Sequence, residues 1–309
     1  MAIDRKTVVI GLLSYTAWGL FPIYWRLVTD LSPWELLVHR FVWSFLFYLA
    51  VFLLVSQNRS TSWKGIRLSD LGMSVTAAVL LGANWLLFIH AVQTNRVLEA
   101  SLAYFLNPIL NVGVGRCIFR EKIPWGLRIA IVLAGIGIGT QFLDLTDFPW
   151  IALLLAFSFC AYGAVKKAMR LESNLGLVVE SGAMLLPAIA LAVFFRQQSP
   201  VPQLQLHHYL FLVGTGVITG IPLVLFSYAA QRLPYSLLGM MQFVAPTLQF
   251  LVAYVVFGEP LTTSRVFAFS FVGAGVLFYL ADRLRVLLRT AEVDASLREM
   301  RSEPCPDEP

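Results

Sequence analysis

The chain has 309 residues and a net charge of +5, with 58% hydrophobic residues, only 13% charged residues and a mean hydropathy of +0.74. A soluble domain carries about 25% charged residues, so this chain lacks the polar groups to cover its own surface, and a soluble globule is excluded. The class left is an all-α, polytopic membrane protein.

A membrane helix needs about 20 mostly apolar residues. Ten segments meet that need: 7–27, 33–55, 71–93, 97–118, 125–143, 149–168, 175–195, 208–231, 235–257 and 264–284. The opening MAIDRKTVVIGLLSYTAWGLF is basic and then apolar, as a signal peptide is. It has no small-x-small cleavage site and more apolar runs follow, so it reads as the first span. Trp18 and Tyr24 lie in that span as candidate cavity residues, next to Pro22.

The second span opens with SPWELLVHR, which places Glu35 and His39 on one helix face and Arg40 about a turn inside the span. A charge near the bilayer centre costs about 2.5–3.5 kcal/mol on insertion scales, so Arg40 must face protein or water. It either contacts an anionic substrate or forms a packing ion pair with Glu35 or Glu180. The third span carries NWLLFIHAVQ, where Asn84 can bond a substrate or a neighbouring helix. His90 reads as packed, and Trp85 as a partly interfacial anchor.

The fourth span, VLEASLAYFLNPILNV, starts with Glu99 at a helix N-terminus, where an acid is favourable, with Asn95 as cap. Deeper in it, Tyr104, Asn107 and Asn111 share a face beside Pro108, whose ring removes one backbone bond. A polar stripe in an apolar helix should face a cavity. Glu121 and Glu259 read as caps on the helices that follow them. Gly135, Gly137, Gly139, Gly273 and Gly275 read as positions of close helix approach. In the seventh span Glu180 is a candidate for proton coupling, roughly opposite Arg40. Tyr228 and Gln242 complete the candidate cavity from the second half, and Pro246 matches Pro108 as a kink. The tail after 285 turns from basic to acidic and reads as disordered.

Charge placement tests the span count. With the N-terminus in the cytoplasm, 18 of the 23 basic residues fall on the inner side and four on the outer side, with Arg40 within a span. That bias fits a multi-pass inner-membrane protein with both termini inside. Basic loops set by topology do not argue for nucleic acid.

The chain also repeats itself. A shift of 138 residues aligns 82–139 with 220–277 without a gap and with 14 identities, among them Pro108 with Pro246, Glu121 with Glu259 and Gly137 with Gly275. The halves 1–143 and 144–285 therefore hold five spans each, followed by a tail, 286–309. Five is odd, so the second half enters from the opposite side. Two inverted five-helix repeats are a frequent construction of secondary transporters, with the substrate site near the midplane.

Pro246, Gly258-Glu259, Gly273 and Gly275, with Pro108, Glu121, Gly135 and Gly137 in the first half, resemble the closing pattern of each half in the EamA-type drug/metabolite transporters, although Arg120 stands in place of the first glycine. SYTAWGLFPIYWR, SPWELLVHR, NWLLFIHAV and LEASLAYFLNP resemble the RarD-type members, the chloramphenicol-sensitivity transporters, and the resemblance spans about residues 5–285. It implies ten helices and the export of small organic metabolites or drugs by alternating access. The implied partners are a small-molecule substrate and the lipid bilayer, and a homodimer is compatible with it.

Other classes are poorly served. Three cysteines give neither a disulfide framework nor a CxxC pair. Four histidines show no ligand spacing, so no metal and no cofactor are expected. The chain has no GxxxxGK[ST], HExxH or Asp-rich motif, which leaves an intramembrane enzyme or a non-transporting sensor as the alternatives to a transporter.

Overall fold

The computed structural model describes residues 4–28, 33–56, 66–94, 96–142, 148–196, 206–258 and 263–302. Within them the chain is helical. The helices are α1 (Arg5–Trp25), α2 (Pro33–Ser56), α3 (Leu68–Gln93), α4 (Val97–Cys117), α5 (Trp125–Phe142), α6 (Trp150–Ala168), α7 (Ser173–Arg196), α8 (Leu206–Arg232), α9 (Tyr235–Gln242), α10 (Val244–Leu251) and α11 (Thr263–Ser302). A π-helical turn, Val252–Val256, continues α10. Counted as one span, α9, α10 and this turn make ten helical segments among the described residues.

Local chemistry sets the ends. Asp4 caps α1, its carboxylate accepting from the amides of Lys6 and Thr7 and from the Thr7 hydroxyl. The Thr7 hydroxyl and then the Lys6 amide hold that carboxyl below its ordinary range. Ser and Asp side chains are favoured at such positions because they satisfy orphan amides of the first turn. The cap of α4 is Arg96, without a side-chain bond, and Asn95 lies outside the described residues. Pro22, Pro187 and Pro222 sit inside unbroken helices. Pro108 does too, whereas the Pro246 span breaks at Phe243, three residues before the ring. A proline clashes with the carbonyl four residues back and cannot donate, which removes one backbone bond from each of these helices, but only the Pro246 span is interrupted among the described residues. α11 runs on to Ser302, well past the expected span end. The tail RLRVLLRTAEVDASLREMRS has no Gly or Pro and is rich in good helix formers, so its first part is helical rather than disordered.

The outward faces are apolar. Leu46, Leu53 and Leu54 on α2 and Leu186, Ile189 and Val193 on α7 are exposed, Leu186 by 76%. Among the described residues seven helices are long and apolar enough to cross a membrane, and Trp125–Gln141 and Val266–Asp282 are shorter apolar helices. A water-soluble fold does not present such a surface. The protein is an all-α polytopic membrane protein.

Compactness divides the chain into two units that cut across the sequence halves. One holds Met1–Lys122 and Leu145–Leu261, the other Ile123–Asp144 and Thr262–Pro309. In the smaller unit α5 and α11 cross where both lack side chains. A Cβ on Gly137 would lie 2.9 Å from the Ala268 carbonyl oxygen, and one on Gly275 would lie 2.8 Å from that of Ala130. Ala130 and Ala268 are themselves repeat partners, as are the two glycines. The contact is therefore reciprocal, and it runs antiparallel, early residue against late. Gly135, Gly139 and Gly273 meet open space instead, so they do not serve the close approach expected of them.

The larger unit is built around a buried core that includes Tyr15, Tyr48, Tyr162, Phe226 and Leu238. Tyr162 stacks on Phe226 with ring centroids 6.0 Å apart, and Trp18 packs on Tyr15, Phe159 and Phe226. Burying aromatic area on this scale is the main apolar contribution such a core makes.

Candidate functional site

The site is in the larger unit, where α2, α3, α7 and α8 meet. α2 contributes a stripe of Arg40, Ser44 and Tyr48, spaced by four and so on one face. Gly216 and Gly220 of α8 let that helix lie directly on the α2 segment Trp43–Phe47. The close approach brings Thr219, fully buried, against Arg40, whose Nε donates to Thr219 Oγ1 at 2.9 Å.

Arg40 is half-buried and aromatic on two sides. Its guanidinium carbon lies 3.8 Å from the Trp85 ring centroid and 5.6 Å from that of Trp25. Tyr104 and Tyr48 stand within electrostatic range. Trp85 is also stacked on Phe41 at 5.1 Å. Among the described residues no carboxylate pairs with Arg40, and the pairing expected with Glu180 is not made. The side chain of Glu35 lies outside the described residues, as does that of Glu99.

Glu180 has another partner. Its Oε1 accepts from Lys166 Nζ at 2.6 Å, with both side chains closed to solvent, and Tyr162 Oη stands 3.5 Å from Oε2. Lys166 was expected among the charges of the inner loops. It is 0% exposed because it occupies the last turn of α6 facing inward, while Lys167, a residue later and about 100° round the helix, turns to Glu121 at 3.7 Å and to the Leu233 carbonyl.

A cavity lies beside this cluster, with Glu180 in its wall; Arg40 does not line it, but Trp85, which covers the guanidinium, does. Ser44 and Tyr48 of α2, Trp85 and Gly82 of α3, Glu180, Ser181 and Met184 of α7 and Leu223 of α8 line it, with apolar neighbours. The volume open to the centre of a water molecule is about 20 Å³, which is room for a water and not for an organic solute. The hydroxyls of Ser44 and Tyr48 are buried on it without a partner on another helix. Buried polar groups without partners are uncommon and point to water or a ligand.

The other expected site residues lie elsewhere. Trp18 is in the aromatic core, and Tyr24 donates its hydroxyl to the Phe211 carbonyl on α8. His39 accepts from Trp43 Nε1 on its own helix. Asn84 joins α3 to α6, donating to the Leu155 carbonyl at 2.8 Å and to Ser158 Oγ at 2.9 Å. The Tyr228 ring carries the Arg232 guanidinium at 3.7 Å, at an exposed helix end. His90 stacks on Trp150. Asn111 faces α9 rather than open space, and Asn107 is buried with its Oδ1 unpartnered among the described residues. Asn111 Nδ2 donates to Gln242 Oε1 at 2.7 Å, and Asn107 is 4% exposed. The two polar helix faces expected to form opposite walls are in contact.

Glu121 does not cap the helix that follows it. Its carboxylate accepts from the amides of Tyr235 and Ser236 and from Ser236 Oγ, at 2.6, 2.8 and 2.6 Å, so it caps α9 in the other half of the sequence. Glu259 lies outside the described residues.

Three contributors were missed from the sequence: Trp85, Thr219 and Lys166. For Lys166 the signal was weak, since two adjacent lysines about 100° apart on a packed helix allow one of them to face inward. For Thr219 there was none.

Apolar outer faces, a bundle of long helices and buried charges around an internal cavity define a polytopic membrane transporter. The chain belongs to the EamA-like transporter family, which matches residues 5–141 and again residues 149–281. It is 36% identical to an uncharacterized transporter of Pseudomonas aeruginosa over 92% of this chain and 96% of that one. It is 35% identical to protein RarD of Escherichia coli (strain K12), over 93% and 98%. A chloramphenicol-sensitive protein RarD of Pseudomonas aeruginosa is 28% identical over 94% and 99%. These likenesses make it a RarD-type member of the drug/metabolite transporter superfamily. A crystal structure with a TM-score of 0.70 and 18% identity covers 89% of this chain and 96% of the other, and it speaks to the fold alone.

Proposed function

We propose that the protein is a secondary active exporter of small organic metabolites or drugs, working by alternating access in a bacterial inner membrane with both termini in the cytoplasm. The observation that carries this reading is a cavity lined by Ser44 and Tyr48 of α2 and by Glu180 and Ser181 of α7 in an otherwise apolar bundle, with Arg40 one turn before Ser44 on the same helix face. Membrane proteins keep such groups where a solute or ion passes. The reciprocal, antiparallel crossing of α5 and α11 supports an inverted pair of repeats, the arrangement in which one half rocks against the other. The cavity, too small for a solute, fits a closed state of that cycle.

The experiment is flux in proteoliposomes holding the purified protein, with inward and outward gradients of a panel of organic acids, amines and neutral drugs. Chloramphenicol belongs in the panel because a relative's name carries it. Saturable, protein-dependent movement of at least one solute is expected, faster with an imposed proton gradient. Passive leak rates for every compound in both directions would sink the reading.

A further inference from the structure

We infer that Arg40 is the anion-binding point of the pathway and that the solute bound there is a small organic acid, held as its carboxylate with its apolar body against tryptophan. This rests on the transporter reading.

The argument begins with charge. Of the three basic side chains Arg40, Lys166 and Lys167, two are matched: Lys166 by Glu180 at 2.6 Å and Lys167 by Glu121 at 3.7 Å. Arg40 has no carboxylate among the described residues, although it lies within a helix long and apolar enough to span a membrane. A cation there needs a counter-charge or water.

Geometry adds direction. Thr219 Oγ1 accepts the hydrogen bond from Arg40 Nε, which fixes the plane of the guanidinium. The ring of Trp85 covers its face at 3.8 Å. What stays open is the edge with the two terminal nitrogens, and that edge is the fork that matches a carboxylate with two parallel hydrogen bonds. Arg40 is half-buried rather than sealed, so the edge can be reached. Trp85 belongs both to this cage and to the wall of the cavity. A ligand with its anionic group on Arg40 therefore has an apolar, aromatic surface beside it for the rest of its body. An amine would meet an uncompensated like charge.

The test uses three probes of one shape on the purified full chain in detergent: phenylacetate, phenylacetamide and phenethylamine. Tryptophan fluorescence reports binding, since Trp85 and Trp25 flank Arg40. Phenylacetate should bind best, with the amide and the amine about tenfold or more weaker, the scale of a charge-assisted hydrogen bond. Arg40→Gln should erase that preference and Arg40→Lys should keep part of it. Thr219→Val, which frees the guanidinium to turn, should weaken phenylacetate selectively. Equal binding of the three probes, binding of none, or an unchanged preference in Arg40→Gln would overturn the inference. Absence of the preference in the wild type with flux of other solutes intact would remove this inference alone. Carboxylate binding without flux of any solute would remove the transporter reading and leave the anion site standing.

Discussion

Lys166 and Glu180 form an ion pair at 2.6 Å with both side chains closed to solvent, and the carboxylate of that pair lines the cavity while the ammonium does not. The acid is thus held by Lys166 on one side and borders the cavity on the other. Protonation of Glu180 would leave Lys166 without its counter-charge, and on that ground we propose Glu180 as the coupling acid of the transport cycle.

Glu180→Gln is expected to lower stability by about 3–5 kcal/mol, because it strands a buried ammonium. Lys166→Met combined with Glu180→Gln removes both charges and should melt near the wild type. Neither protein should move solute in response to a proton gradient. Thermal unfolding in detergent and flux under an imposed pH step read the two effects separately. A double variant as unstable as the single one would show that the pair is not what Glu180→Gln breaks, and gradient-driven flux in the double variant would remove Glu180 from coupling.

Arg120 has φ 53°, in the left-handed region, and its repeat partner Gly258 has φ 66°. The turn closes with the Glu121 amide donating to the Gly115 carbonyl at 2.9 Å, and it swings the Glu121 carboxylate onto the start of α9. An L-residue pays roughly 1–2 kcal/mol in that conformation. Arg120→Gly should therefore raise the unfolding temperature, by the equivalent of about 1 kcal/mol, while Glu121→Ala should lower it and speed amide exchange at Tyr235 and Ser236. A destabilised Arg120→Gly protein would mean that the arginine side chain makes up for its backbone.

Asn111 and Gln242 decide whether the polar face of α4 is glue or wall. If it is glue, Asn111→Leu and Gln242→Leu each leave a buried amide without its partner, at about 1–3 kcal/mol, and the double variant recovers most of the loss. Additive losses in a double-mutant cycle, together with loss of solute binding, would return these residues to the pathway.

Much of the fold was legible because a membrane helix is specified locally. Every backbone group must be satisfied within its own segment, so apolar length alone marked the helices, and most ends fell within a few residues. One exception has a reason of the same kind: α11 overran because its tail carries no breaker. The Pro246 span breaks at Phe243 although four other prolines sit inside unbroken helices, so proline alone does not decide it. Arg40 and Glu180 were recognisable as costly charges in apolar runs. Their partners were not, since the expectation gave Arg40 an anionic substrate, Glu35 or Glu180 and did not bring in Thr219, Trp85 or Lys166.

Sequence by itself therefore determined the class of protein, its helices, its internal repeat and the residues that cannot face lipid. Tertiary structure alone decided which of these meet. It set Arg40 between Trp85 and Thr219, turned Lys166 inward to Glu180, and closed Asn111 on Gln242. The physical reason is range. Apolarity and proline act over one helical segment, whereas a side-chain pair depends on the rotation and crossing of two helices, set by packing spread over the whole chain.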